Sequence, residues 1–363
     1  MSKIFTALGM MSGTSFDGMD LSIIETDGKD YLRLKKNFYY PYDNKIKKLL
    51  HNCKKKLKDK NSKDILTSSL FKESSRIITM LHAKAAGVIL SAYKKNVHLV
   101  GFHGVTIDHK PSKKRTIQLG DPLLLKQIIN VPIVFNFRQN DLKNGGQGAP
   151  LIPVYHRALA KKIKEKKPTL FINIGGISNF TYVNNNKMFA SDIGPGNCLL
   201  DEWIASHTNL SFDKNGIMSS KGTVDFHFVN TFVDRLKHFE KNNISYDTSD
   251  FSISELRGLS VEDGAATLSY LTAQLIVDLI NSYPKVNNVY FGGGGRKNAF
   301  LIKTIKKLTK ANIVDLDKKQ IDGDFVESQA FAYLAVRSAL KLPITFKETT
   351  GCKKSVSGGV LYS

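Results

Sequence analysis

The residues best suited to chemistry sit in glycine turns. Gly9-Met10-Met11-Ser12-Gly13-Thr14-Ser15-Phe16-Asp17-Gly18-Met19-Asp20 joins two apolar runs through three hydroxyls and a glycine, a composition in which backbone N–H groups and side-chain donors can converge on a phosphate. It is not a Walker A loop, because no GK[ST] follows and no helix opens after it. A polar hairpin turn is the plain alternative. Asn173-Ile174-Gly175-Gly176-Ile177-Ser178-Asn179 repeats the theme, so two such turns, one per half of the chain, are expected to face each other across a cleft. In Ser191-Asp192-Ile193-Gly194-Pro195-Gly196-Asn197, Asp192 stands at a strand end before a rigid turn. A carboxylate held there suits a general base or, equally, a turn aspartate bonding nearby N–H groups. Asn197 is placed to cap the next helix.

Gly292-Gly293-Gly294-Gly295 follows a buried strand and precedes a helix. Four consecutive glycines cost chain entropy, which points to close backbone approach by a nucleotide. As a GxGxxG motif the run is poor, since no further glycine follows at the right spacing. Two smaller polar clusters complete the inventory. Gly101-Phe102-His103-Gly104-Val105-Thr106 carries a strand-end histidine of structural or substrate-facing use. Asn136-Phe137-Arg138, followed by Gly145-Gly146-Gln147-Gly148-Ala149-Pro150, offers in Arg138 a fork of donors for a substrate carboxylate.

These turns need elements to hold them. Periodicity predicts strands at 3–9, 20–26, 31–40, 97–102, 115–118 and 131–136, helices at 44–60 and 64–95, and a short helix in PLLLKQII. The second half reads as a strand at 169–176, a hairpin through Asn184 to Asn186, and helices at 197–206, 226–240 and 261–282. A strand at 286–295, a helix at 297–309, a strand at 312–316 and a helix at 325–341 follow. Alternation of this kind predicts α/β architecture in two halves, with ligands at the strand ends. The expected first lobe is 1–137 with 343–363, and the second 138–342.

Composition narrows the class. The 363 residues carry 53 Lys+Arg against 32 Asp+Glu, hence 53 − 32 = +21, with 42% hydrophobic residues. At about 100–200 residues per domain this is two or three domains with real cores. The charge invites a nucleic-acid reading, but the lysines of 44–60 alternate with Ile46, Leu49, Leu50 and Leu57 at helical spacing, which makes them a solvent face. No helix-turn-helix, zinc finger or aromatic-interleaved basic strip accompanies them, so no nucleic-acid partner is expected. A positive field would still attract anionic small molecules. Cys53, Cys198 and Cys352 are scattered and odd in number, which fits neither a disulfide framework nor a zinc knuckle. The apolar N-terminus lacks a cleavage pattern and reads as a buried strand. No run approaches the roughly 18–20 apolar residues of a membrane span, so a cytoplasmic protein without a membrane partner is expected.

The blocks GMMSGTSFDGMD, GFHGVTIDH, TIQLGDP, NFRQND, GGQGAPLIPVYH, NIGGISN, SDIGPGNCLLDEW, FGGGGRKN and ESQAFAYLA occur in an order and spacing that resemble the anhydro-N-acetylmuramic acid kinases. The resemblance covers nearly the whole chain. It implies the two-lobed actin/hexokinase-like (ribonuclease H-like) fold with an interdomain cleft, and ATP-dependent opening of the 1,6-anhydro ring of 1,6-anhydro-N-acetylmuramic acid with phosphorylation of O6 in peptidoglycan recycling. It implies Asp192 as the base that activates water. Gly13, Thr14, Ser15, Phe16, Asp17, Gly18, Met19 and Asp20 become a phosphate hairpin, with Gly175, Gly176 and Gly292 to Gly295 completing the nucleotide site. His103, Arg138 and Glu327 fall in the sugar site, Glu327 also reading as a first-turn glutamate favourable to its helix dipole. ATP with Mg²⁺ bridging its phosphates, largely through water, is implied, as is a homodimer; no direct metal ligand is identified. An ordinary aspartate, with a pKa of about 3.9, is already ionised at neutral pH, so Asp192 is expected to need aim rather than a shifted pKa. The chain departs from the family at Val105 and Asn136, where glutamine and aspartate are usual, and around Asp247 to Phe251. A kinase of a related amino sugar is therefore an alternative, and a basic nucleic-acid-binding or scaffold protein a more distant one.

Overall fold

The apolar runs at the start of the chain form an antiparallel meander of β1 (Phe5–Ser12), β2 (Gly18–Thr26) and β3 (Leu32–Pro41). The computed structural model describes residues 3–13, 15–58, 60–239, 246–256 and 258–363. Asp43 caps α1 (Asn44–Leu57), which buries Leu50, Cys53 and Leu57 and leaves Lys45, Lys48, Lys55 and Lys56 exposed. The long helix expected at 64–95 is two, α2 (Ser62–Thr67) and α3 (Ser69–Tyr93). Ser68 breaks it with extended backbone, and its Oγ accepts from the Phe71 amide.

β4 (Leu99–Lys110) runs parallel to β1 and continues well past the expected end at 102, because its second half pairs with β5 (Arg115–Leu119). Then come α4 (Pro122–Ile129), β6 (Ile133–Phe135) parallel to β4, and two helices not expected from the sequence, α5 (Gln139–Lys143) and α6 (Pro153–Lys162).

A second meander follows, β7 (Thr169–Ile174), β8 (Ile177–Asn184) and β9 (Lys187–Pro195). Helices α7 (Cys198–His207), α8 (Phe226–Phe239) and α9 (Val261–Ser282) lead to β10 (Asn288–Gly292), parallel to β7. After α10 (Ala299–Leu308) comes β11 (Asn312–Asp315), parallel to β10. The chain ends with α11 (Val326–Ala339), α12 (Lys347–Thr350) and an unforeseen edge strand, β12 (Val360–Tyr362), antiparallel to β6.

Contacts divide the chain into Met1–Lys164 with Phe325–Ser363, and Glu165–Asp324. The expected boundaries at 137/138 and 342/343 are therefore displaced. α11 belongs with the first unit, because it lies directly on β1 and β4. A Cβ on Gly9 would stand 1.9 Å from the Ser328 carbonyl oxygen, and one on Gly101 2.2 Å from that of Phe331. The opposite sheet face packs Leu8, Met10 and Val100 against Ile78, Ala85 and Ile89 of α3. In the second unit Leu170, Ile172 and Phe291 pack against Ala273, Ile276 and Val277 of α9.

The strand orders are β3-β2-β1-β4-β6-β12 and β9-β8-β7-β10-β11. Each contains an antiparallel meander whose first strand is joined by two parallel strands. This is the ribonuclease H-like arrangement, present twice, as in the actin/hexokinase-like proteins. Among the described residues no helix is long and apolar enough to cross a membrane.

Candidate active site

In the first unit, the β1–β2 hairpin is pinned rather than loose. Phe16 takes a left-handed conformation (φ 58°) and buries its ring edge-on to His51. Met19 lies in the same core, and the space beside Gly18 is filled by Tyr39 and Tyr40. Phe16 and Met19, two of the expected phosphate residues, are thus structural in their side chains, and Gly18 stands where a side chain would not fit. Ser15 and Asp17 are exposed, Gly13 and Asp20 half-buried, and Thr14 lies outside the described residues. Asp17 pairs with Lys47 at 3.0 Å while its carbonyl accepts from Tyr42 N and Tyr39 Oη. The Ser12 hydroxyl donates to the Gly18 carbonyl across the hairpin mouth.

The same unit brings together the three residues expected at the sugar. His103 lies on β4, Arg138 just beyond β6, and Glu327 in the first turn of α11. Arg138 Nε donates to His103 Nε2 at 3.1 Å and Nη1 to the Gly148 carbonyl at 2.8 Å. His103 donates from Nδ1 to the Gly104 carbonyl, so the ring is the neutral Nδ1–H tautomer with both nitrogens spent inside the protein. Burial, then the Arg138 charge, holds its pKa well below the usual range. No donor or acceptor of His103 remains for a ligand, so its expected contact with the sugar becomes support of Arg138. Burial lowers the Arg138 guanidinium to about 10 against the opposing pull of Glu327, and burial raises the Glu327 carboxyl against the pull of Arg138. Asp141, which sequence reasoning passed over, is buried beneath this group; its only signal was a carboxylate three residues after Arg138 on one helical turn.

In the second unit three of the glycine motifs meet. The Gly175 and Gly176 carbonyls accept from the amides of Asn197, Gly196 and Cys198, which stitches the β7–β8 turn to the start of α7. Asn197 makes no side-chain cap; its Nδ2 instead donates to the Ile174 carbonyl. The four glycines of 292–295 do different jobs. A Cβ on Gly293 (φ 78°) would lie 2.5 Å from Asn173 Oδ1, and one on Gly295 2.3 Å from Ile174 Cγ2, so these two serve internal packing. Gly294 has nothing within 4 Å, and Gly175, Gly176 and Gly292 have only ordinary contacts. Arg296 anchors the run by pairing with Asp324.

Asp192 is within β9, opposite Asn179, rather than beyond a strand end, because β9 continues to Pro195 past a bulge in the pairing. Its Oδ2 accepts from the Tyr246 amide at 2.9 Å. Among the described residues no cation pairs with it. Burial therefore pushes its pKa up to about 7, opposed only by that one amide. The expectation of an unshifted aspartate is corrected by this desolvation.

The sequence model of the anhydro-N-acetylmuramic acid kinase family matches residues 5–363. The chain belongs to that family. An anhydro-N-acetylmuramic acid kinase of Pelagibacter ubique (strain HTCC1062) is 43% identical over 373 residues, spanning 99% of each chain. One of Agrobacterium fabrum (strain C58 / ATCC 33970) is 38% identical over 373 residues with the same coverage. A ROK family glucokinase from Streptomyces griseus, solved in complex with glucose and AMPPNP, overlays with a TM-score of 0.43 at 11% identity, covering 91% of this chain and 99% of that one.

Two departures from this kinase family acquire a physical reading. Val105 is wholly buried in the apolar core of the first unit, so it does not line a polar site. Asn136 is exposed at φ 65°, a left-handed conformation that asparagine tolerates well.

Proposed function

We propose that this member of the anhydro-N-acetylmuramic acid kinase family opens the 1,6-anhydro ring of 1,6-anhydro-N-acetylmuramic acid and transfers the γ-phosphoryl group of ATP to O6, in peptidoglycan recycling. Asp192 takes a proton from water as the water oxygen bonds to C1. The C1–O6 bond breaks with its electron pair passing to O6, and O6 attacks the γ-phosphorus in line as ADP leaves. An ordinary inverting glycosidase protonates the leaving oxygen with a second carboxyl group; here phosphoryl capture of O6 takes that part. The observation that carries the reading is the desolvated Asp192 carboxylate, whose pKa of about 7 matches what a base working near neutrality requires.

The ring's electron pair needs a receiver, and the glycine turns supply room for one. The open positions Gly175, Gly176 and Gly294 would let phosphate oxygens reach backbone N–H groups, as would Gly13 and Ser15 on the β1–β2 hairpin. Mg²⁺ would enter on the nucleotide, held by its phosphates and water. Arg138 and Glu327 would bind the sugar, the guanidinium fork taking its carboxylate. A cytoplasmic homodimer is part of the same reading, and sedimentation of the purified chain tests its second half.

The test is phosphate transfer from ATP to 1,6-anhydro-N-acetylmuramic acid in ¹⁸O-labelled water, wild type against Asp192→Asn. Label at the C1 hydroxyl, loss of turnover in the variant and negligible ring opening without ATP are expected. Turnover within a few-fold of wild type in the variant would refute the assignment of the base.

A further inference from the structure

The geometry points to Asp141 as a positioning residue that aims the Arg138 fork through the backbone of Gly148. This rests on the proposed role of Arg138 as the sugar's ligand. A guanidinium carries five N–H donors. In Arg138, Nε is fixed on His103 Nε2 and Nη1 on the Gly148 carbonyl, while Nη2 has no acceptor among the described residues. The direction of that remaining edge is set by the two fixed acceptors.

His103 is rigid, held on a central strand by its own bond to Gly104. Gly148 belongs to a loop and needs an anchor. Asp141 provides it. Its Oδ2 accepts from the Gly148 amide at 2.6 Å and its Oδ1 from Thr350 Oγ1 at 2.7 Å, with the residue 1% exposed. Gly146 passes so close that a Cβ there would stand 2.2 Å from Oδ2. The Thr350 carbonyl holds the next amide, Gln147 N, at 2.8 Å. Amide held by carboxylate and carbonyl facing guanidinium thus belong to one residue, at φ 71°. A carboxylate is required because both of its oxygens receive a donor; an asparagine would turn an NH₂ against one of them.

Steady-state kinetics of the full chain test this. For Asp141→Asn, the KM for the anhydro sugar should rise about tenfold, the scale of one charge-assisted hydrogen bond, with the KM for ATP unchanged. Placed on Arg138→Ala, the same substitution should add less than about twofold, because the group it aims is gone. An equal further loss on that background, or an equal change in both KM values, would overturn the proposal. If Asp141→Asn does not fold, Thr350→Val is read by the same criteria, with Thr350→Ser expected to restore the wild-type value. A substrate-independent arm separates the two readings: the Arg138 Nε–H resonance, identified by its loss in Arg138→Lys, should shift in the Asp141 or Thr350 variant. Absence of wild-type turnover with a shifted resonance refutes the sugar reading and leaves the positioning role standing. An unmoved resonance refutes the positioning role.

Discussion

Glu327 in the first unit and Asp192 in the second are both carboxylates withdrawn from water, yet among the described residues a nearby cation acts on Glu327 alone. Glu327 shares its surroundings with Arg138, itself bonded to a neutral histidine and a carbonyl. Asp192 has one backbone amide and, among the described residues, no counter-charge. Both are raised by burial, but the charge of Arg138 pulls Glu327 back towards ionisation, while among the described residues Asp192 is opposed by one backbone amide. A paired group is suited to hold a ligand in one orientation; an unpaired one is suited to gain and lose a proton. The same sheet topology thus carries a charge-coupled carboxylate in one unit and a desolvated one in the other, which the proposed reaction uses as ligand and as base.

The difference is broken most severely at Asp192. Asp192→Asn should lower kcat by about 10²–10⁴-fold with the sugar KM changed by no more than a few-fold, measured by coupled ADP release. Arg138→Ala should do the reverse, raising the sugar KM by about 10–100-fold, the span of a lost charge-assisted hydrogen bond, with kcat held within a few-fold. Equal effects of both substitutions on kcat would erase the distinction. Next is pH. The log of kcat/KM should climb with unit slope up to about pH 7 and then level, and this limb should vanish in Asp192→Asn.

Stability reports the same group with its own sign. A carboxyl raised in the folded state binds its proton more tightly there than in the unfolded chain. Its contribution is therefore full below the unfolded value and is lost as pH rises towards about 7. Asp192→Asn should accordingly melt above wild type at pH 8, with the gap closing by about pH 4, as calorimetry can follow. The smallest contrast lies within the glycine run. Gly295→Ala should cost about 1–3 kcal/mol through collision with Ile174, whereas Gly294→Ala should leave the melting temperature in place and raise the ATP KM a few-fold.

Much of this was legible in the residues because it depends on local pattern. The two meanders announced themselves by apolar runs around glycine turns, and the helices by their spacing. What escaped was decided at long range. β12 is three residues that become a strand only by pairing with β6, and α6 was hidden behind the glycine-rich run at 145–150 that precedes it. Ser68 divides a pattern whose apolar period runs through it unbroken. The unit boundary moved because α11 follows the second unit in sequence but packs on β1 and β4. The pKa of Asp192 and the internal bonds of His103 are properties of enclosure, and no spacing of residue types encodes how much water a folded chain leaves beside a side chain. At Gly293 and Gly295 the sequence signal of close approach has an internal cause beside the expected one, since Asn173 and Ile174 crowd them.

The seating of α11 on Gly9 and Gly101 has a consequence for how the chain is born. Everything in the second unit lies between Glu165 and Asp324 and is synthesised before α11. The first unit, begun earliest, must keep one face of its sheet uncovered until the helix that lies upon it emerges. Glu327 arrives with that helix, and Thr350 later still. During synthesis the second unit is therefore able to complete its core first, against the usual N-terminal-first order, and the cluster of His103, Arg138 and Glu327 is assembled only after it.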